Sequence, residues 1–269
     1  MRIKKLGVIG CGNMGNAIIE GIVTNKDITV DSIYIFDKIS RKTNRASRRR
    51  SIRKQSSSIE VAKKSHIIII AVKPQDSGNL LKEIGPYITR SKLIITIMAG
   101  IKMAKISQFV DRGVSIARVM PNMAAFVKEA ISGISYNRFV TSKEKRIVRE
   151  LFKGIGRLYE TQETMQDAVT ALTGSGPAYF FYLVESFVNV AVRLGFSRKE
   201  ALKFITQTMK GSARLLEESG VSPEELRKKV TSKGGTTEAA LRILEKRGVR
   251  ESIAGAVSAA IKRSRELSK

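Results

Sequence analysis

The sequence predicts an α/β protein: an N-terminal parallel-sheet domain over residues 1–162, followed by an all-α C-terminal domain over residues 163–269. Two observations carry this expectation. Up to about Glu160, short apolar runs alternate with helical patterns, and strands joined through helices lie parallel with both faces covered. Beyond Glu160 the strand signals stop and only helix starts and stops remain. The 269 residues suffice for two cores of ordinary size.

Lys5 to Gly10 is a short apolar strand, Asn13 to Val23 carries a helical pattern, and Ser32 to Phe36 is a second strand, so the chain begins with a β-α-β unit. A basic helix is expected from about Ser40 to Arg53. Ile67 to Val72 reads as a buried strand, Ser77 to Ile84 as a helix, and Leu93 to Met98 and Val114 to Val119 as further strands. In the second half Pro177 opens a long apolar helix, because a missing N–H costs nothing in a first turn, and Gly195 closes it. Ser197-x-x-Glu200 is a capping box opening a second helix that ends at Gly220. Ser222-Pro223-Glu224-Glu225 starts a third. Two more run from Thr237 to Arg247 and from Glu251 to Leu267.

Lys and Arg number 49 against 24 Asp and Glu, a formal net charge of +25 that attracts anions through the long-range field. Nine basic residues lie between Lys38 and Lys54 with no acid among them. That segment has no aromatic for base stacking and matches no nucleic-acid motif, so it reads as a solvated basic face; specific nucleic-acid binding is not expected. The single cysteine, Cys11, excludes an internal disulfide framework and suits a reducing cytoplasm. The first dozen residues have the basic head and apolar body of a secretory signal, yet Gly7, Gly10, Gly12 and Asn13 break the run. The purest apolar run, Ile67 to Val72, is far shorter than the roughly 20 residues of a membrane span. A soluble, cytoplasmic protein is expected.

Gly10-Cys11-Gly12-Asn13-Met14-Gly15 is a G-x-G-x-x-G pattern ending a strand and opening a helix, the Rossmann-type dinucleotide signature. Gly10 permits the tight turn, Gly12 the close approach of a pyrophosphate, and Gly15 the close packing of the helix, whose N-terminus faces the negative charge. Cys11 reads as a small side chain tolerated between glycines. Asp37 ends the second strand, where a carboxylate grips the ribose hydroxyls of NAD, but Lys38, Arg41 and Lys42 follow and would accommodate the extra phosphate of NADP. The sequence leaves that choice open. Ala71-Val72-Lys73-Pro74 and Met98-Ala99-Gly100 end later strands and should line the nicotinamide half of the crevice.

Thr170-Ala-Leu-Thr-Gly-Ser-Gly-Pro-Ala-Tyr179 and Val230-Thr-Ser-Lys-Gly-Gly-Thr-Thr237 are two further glycine-rich turns running into helical patterns, each expected to offer free backbone N–H groups to an anion. Together with the dinucleotide unit they suggest a reductase for a small carboxylate. His66 is the only histidine and lies at the start of a buried strand, the wrong end for chemistry, and no Cys or His cluster suggests a catalytic metal. A metal-free alcohol dehydrogenase needs a general base. A cyclic imine does not, since its nitrogen can arrive protonated and its carbon needs only a positioned hydride.

These residues resemble pyrroline-5-carboxylate reductases, over nearly the whole chain: Gly7 to Met14, Ala71 to Pro74, Met98 to Gly100, Arg-Val-Met-Pro-Asn from Arg118, Asp167 to Tyr179, and Gly-Gly-Thr-Thr from Gly234. The resemblance implies reduction of L-1-pyrroline-5-carboxylate to L-proline with NADPH, or alternatively NADH. It implies cofactor contacts at Ile9, Gly10, Cys11, Gly12, Asn13, Met14, Asp37, Ser58, Ala71 to Pro74 and Met98 to Gly100. It implies a substrate carboxylate held by Ser232, Gly234, Gly235, Thr236 and Thr237, with Thr237 at the ring nitrogen as the catalytic residue. Glu163 matches a substrate-contacting position, and Thr170, Gly174, Ser175 and Gly176 would shape the pocket. The resemblance also implies a homodimer or higher homo-oligomer of interlocked helical domains. Lys233 and Ala124 depart from the family, which usually has Pro at both positions, and Ser58 stands where Asn is frequent. A rival β-hydroxyacid dehydrogenase would need a lysine in the helix after Pro177, which offers Glu185, Asn189 and Arg193 instead. A non-catalytic nucleotide- or polyanion-binding protein is the other alternative.

Overall fold

The computed structural model describes residues 1–44 and 49–267. Eight strands form one sheet in the order β3-β2-β1-β4-β5-β6-β7-β8: β1 (Arg2–Ile9), β2 (Thr29–Phe36), β3 (Ile52–Lys54), β4 (Ile67–Ile70), β5 (Leu93–Thr96), β6 (Ser115–Met120), β7 (Ala130–Tyr136) and β8 (Gly156–Glu160). All neighbours pair in parallel except β6 with β7. The central strand β4 is four isoleucines, all buried. Ile67 and Ile69 join the core under α1 (Asn13–Thr24) and α5 (Ser142–Lys153), while Ile68 and Ile70 join the opposite core under α2 (Ser58–Lys64), α3 (Ser77–Ile84) and α4 (Met103–Ser107). A period of two with no polar residue is what a strand covered on both faces requires. Truncating any one of the four to Ala would cost about 2–5 kcal/mol.

Two expectations are corrected here. The described parts of Ser40 to Arg53 are not one helix: Ser40–Thr43 is a single 3-10 turn and Ile52–Lys54 is the edge strand, Ile52 pairing with Ile33. A run of cations lacking acids three or four positions away has nothing to offset its self-repulsion in a helix, and residues 45–48 of that expected helix lie outside the described residues. The sheet is also not wholly parallel. The 3-10 turn Met123–Val127 reverses the chain after β6, and β7, α5 and β8 complete the sheet. These three elements go unread in the sequence. The signal for α5 was present, since Thr141 and Glu144 form a capping box.

The chain forms two compact units, one of residues 1–175 joined by the last turns from Ala260 onward, the other Gly176–Ala259. This division differs from 1–162 and 163–269. Residues 163–175 pack on the sheet: in α6 (Gln166–Val169), Gln166 Nε2 donates to Ser135 Oγ at 2.9 Å, and Val169 covers Gly133, where a Cβ would lie 2.8 Å from it. Ser264 Oγ donates to Asp167 Oδ1 at 2.7 Å, which ties the end of the last helix to this first unit.

The second unit is helical: α7 (Gly176–Arg193), α8 (Arg198–Ser219), α9 (Pro223–Lys229), α10 (Thr236–Lys246) and α11 (Val249–Leu267), which ends in the first unit. Ser197 and Glu200 form the expected capping box, Ser222 caps α9, and Gly195 and Gly220 take left-handed φ of +99° and +63°. Between Gly176 and Ala259 only Gly176, Val188 and Ala201 are buried.

Candidate active site

The glycine loop is assembled by backbone contacts. Gly10 sits at φ +98°, its N–H donates to Phe36 O at 2.8 Å, and a Cβ there would lie 2.6 Å from the Ala71 carbonyl. A Cβ on Gly15 would overlap the Gly10 carbonyl oxygen, whereas one on Gly12 would meet nothing within 4 Å. Gly12 is also the N-cap of α1 and has no side chain to cap it. The first N–H groups of the helix are therefore left for an external anion.

Beside this loop lies a cleft of about 660 Å³ at the carboxyl ends of the strands. Of the expected cofactor residues, Ile9, Gly10, Gly12, Asn13, Met14, Asp37, Lys38, Ser58, Ala71, Val72, Lys73, Pro74, Met98 and Ala99 line it. Three do not. The Cys11 side chain is fully buried, and burial, followed by the charge of Asp37, pushes its thiol up to about 12. Gly100 is buried in a left-handed turn at φ +77°. Arg41 lines a neighbouring cleft of about 600 Å³, with Lys128, while Lys42 borders both.

Asp37 has a task that the sequence does not reveal. Its Oδ2 accepts the Cys11 N–H at 2.8 Å and its Oδ1 the Ile39 N–H at 2.8 Å, with Lys42 Nζ 3.9 Å away. The carboxylate thus braces the glycine loop against the turn after β2, and each oxygen keeps a lone pair for a ligand. Ser58 is fully buried and donates to Glu83 Oε1 at 2.6 Å, so Glu83 joins the cleft wall.

Glu163 Oε1 accepts the Met103 N–H at 2.7 Å and Arg118 Nη1 at 3.3 Å. Arg118 is a buried cation, its side chain 4% exposed, and Glu163 is its counter-charge. A buried charge without a partner would be costly, so this pair fastens the end of β6 to the chain entering α6. Residues Thr170–Gly174 form a π-helix closed by Ser175 N–H to Thr170 O at 2.8 Å, and Thr170 Oγ1 donates to Gln166 O. The Ser175 N–H is thus used within this wider helical turn. Such π-turns recur at functional sites. A Cβ on Gly174 would come 2.8 Å from Met120 Cε, and Met120 lines the cleft.

In the second unit, Ser232 to Gly235 form a tight turn, Gly235 N–H donating to Ser232 O at 3.0 Å and Gly234 at φ +76°. Gly235 is the N-cap of α10 and offers no side-chain cap, so Thr236 and Thr237 open the helix with orphan donors. The Gly234 N–H is taken by Glu238 Oε2 at 2.8 Å.

A family model described as pyrroline-5-carboxylate reductase dimerisation matches residues 163–267, and one described as NADP oxidoreductase, coenzyme F420-dependent, matches residues 5–100. The pyrroline-5-carboxylate reductase of Methanosarcina acetivorans is 36% identical over 269 residues, covering all of both chains. The chain belongs to the pyrroline-5-carboxylate reductase family. The Escherichia coli reductase is 33% identical over 99% of each chain. The crystal structure of the Plasmodium falciparum pyrroline carboxylate reductase with NADP bound superposes with a TM-score of 0.89 at 32% identity, covering 98% of each chain.

In this reductase chain the cleft wall also includes Phe36, Ile39, Lys42, Gln75, Asp76, Leu80, Glu83, Ile97, Met120 and Pro121, most of which sequence reasoning missed. Met120 and Pro121 were within reach, since they end a strand as Met98 does. Glu83 was not, because only the fold of α3 over β4 carries it to the cleft. Among the described residues no group of three or more His, Cys, Asp or Glu could hold a metal ion, and no helix is long and apolar enough to cross a membrane.

Proposed function

We propose that this chain reduces L-1-pyrroline-5-carboxylate to L-proline, the last step of proline biosynthesis, in the cytoplasm, with NADPH as preferred donor and NADH as an alternative. The full-length likeness to curated pyrroline-5-carboxylate reductases carries the reading. The open position at Gly12, where a side chain would fill the space left for a phosphate, fits a dinucleotide independently. When bound, the nicotinamide supplies the hydride.

The N–H groups of Asn13 and Met14 bind pyrophosphate at the α1 N-terminus, with Lys38 and Lys42 beside the adenosine phosphate. Ala71 to Pro74, Met98 and Ala99 enclose the nicotinamide half. Ser232, Gly234, Gly235 and Thr236 hold the substrate carboxylate, Thr237 hydrogen-bonds the ring nitrogen, and Glu163, Thr170, Gly174, Ser175 and Gly176 shape the pocket. Residues 1–162 serve the cofactor and 163–269 the substrate and the oligomer.

The oligomer is a homodimer or larger. Supporting this, Phe180, Phe181, Tyr182, Phe187 and Leu194 of the second unit are each more than half exposed, and an apolar surface of this kind calls for a partner. A light-scattering mass near the 29.7 kDa of one chain, with activity retained, would refute it.

The test of the reaction is oxidation of NADPH and NADH with and without the imine acid; a folded preparation inactive with both sinks the assignment. Thr237→Ala should lose about ten- to a hundredfold in turnover, since a hydrogen bond to a charged group is worth roughly 1.5–3 kcal/mol. Ser175→Ala should lose less, because its hydroxyl faces no developing charge. Equal losses would remove Thr237 from the chemistry.

A further inference from the structure

The turn proposed to hold the substrate carboxylate already holds a carboxylate. Glu238 Oε2 accepts the Gly234 N–H at 2.8 Å, reaching back over the first turn of α10. Gly235 at the N-cap brings no side chain, and Glu238 is the only acid in that first turn. A carboxylate here is stabilised by the helix N-terminus and by oriented N–H groups, the same features that would attract a substrate anion. The surroundings add to this attraction: Lys233 lies in the turn, and Arg227, Lys228 and Lys229 form the last turn of α9.

We propose that Glu238 is a specificity-determining residue, an internal competitor that occupies part of the carboxylate site and is displaced when the imine acid binds. This rests on the proposed reading of the Ser232–Thr237 turn. Two carboxylates sharing one set of donors repel, and the donor held by Oε2 cannot also serve the ligand fully. Glu238 therefore weakens binding of any ligand anchored by a carboxylate, and does nothing to a ligand lacking one.

The test compares the full-length protein with Glu238→Gln, which keeps an amide oxygen to accept the Gly234 N–H but removes the charge, and with Glu238→Ala, which removes both. Both variants should lower KM for pyrroline-5-carboxylate, by roughly three- to tenfold for a half-buried, partly screened charge, with kcat and the KM for NADPH unchanged. Both should bind proline, a competitive carboxylate ligand, more tightly by a similar factor, and pyrrolidine, which lacks the carboxylate, with wild-type affinity. A purely structural cap would shift proline and pyrrolidine together, in the direction of weaker binding, and that result overturns the proposal. So does an active Glu238→Gln enzyme whose KM for the imine acid equals that of the wild type. A wild-type protein with no turnover of the imine acid overturns instead the reading of the turn on which the proposal stands.

Discussion

Two glycines of one loop are expected to fail in opposite ways when a methyl group is added. Gly12 has φ −66° and ψ −170°, a conformation open to any residue, and a Cβ there meets no protein atom within 4 Å. Gly12→Ala should therefore leave the unliganded fold intact, or raise its stability by about 0.4–1 kcal/mol through the unfolded chain. The new methyl stands where the pyrophosphate must approach. Overpacking of one methyl costs about 1–3 kcal/mol, which is roughly a 5- to 150-fold rise in the KM for NADPH. At Gly15 the added Cβ overlaps the Gly10 carbonyl oxygen, a backbone atom with no rotamer to escape into. Gly15→Ala should lose about 1–3 kcal/mol of stability without any ligand, a fall of roughly 2–12 °C in Tm at about 2–4 °C per kcal/mol. Thermal melts with and without NADPH, together with initial rates at saturating imine acid, separate the two effects. A Gly12→Ala protein with wild-type Tm and wild-type KM for NADPH would show that no phosphate approaches this loop, and the cofactor placement would fall.

Cofactor preference should follow the cleft that each cation lines. Lys42→Ala is expected to lower the ratio of NADPH to NADH efficiency about tenfold, and Arg41→Ala to lower it less, because Arg41 lines the neighbouring cleft; the opposite ranking in kcat/KM measurements would put the adenosine phosphate in that neighbouring cleft. Burial holds the Cys11 thiol up at about 12, so iodoacetamide at about pH 9 should leave the native protein unlabelled and label the denatured chain once, the ordinary thiol pKa being roughly 8.5. Because the folded pKa is raised, the associated stability is present below the unfolded thiol's pKa and is lost as pH climbs toward about 12. Mass spectrometry of native protein carrying the label would refute this burial.

Sequence alone determined the features whose causes are local. The glycine loop was legible because turn, approach and helix packing are demanded within six consecutive residues, and Gly10, Gly12, Asn13 and Met14 of that loop line the cleft. The helix ends were legible for the same reason: Ser197 with Glu200, Ser222, Gly195 and Gly220 act on their own first or last turn. Ile67 to Ile70 needed only its unbroken apolar run.

Tertiary structure decided whatever depends on a distant partner. Ile52 is a strand residue because Ile33 lies beside it, against the helical reading of the surrounding cations. The reversal at β6–β7 rests on pairing across a loop, and only that pairing distinguishes it from another parallel crossover. Asp37 acts on a loop 26 residues earlier, Glu163 on a backbone N–H 60 residues away, and Ser264 on Asp167 across 97 residues. Bonds of this kind leave no periodic trace in the chain, because a hydrogen bond constrains two atoms in space and not the spacing between their residues.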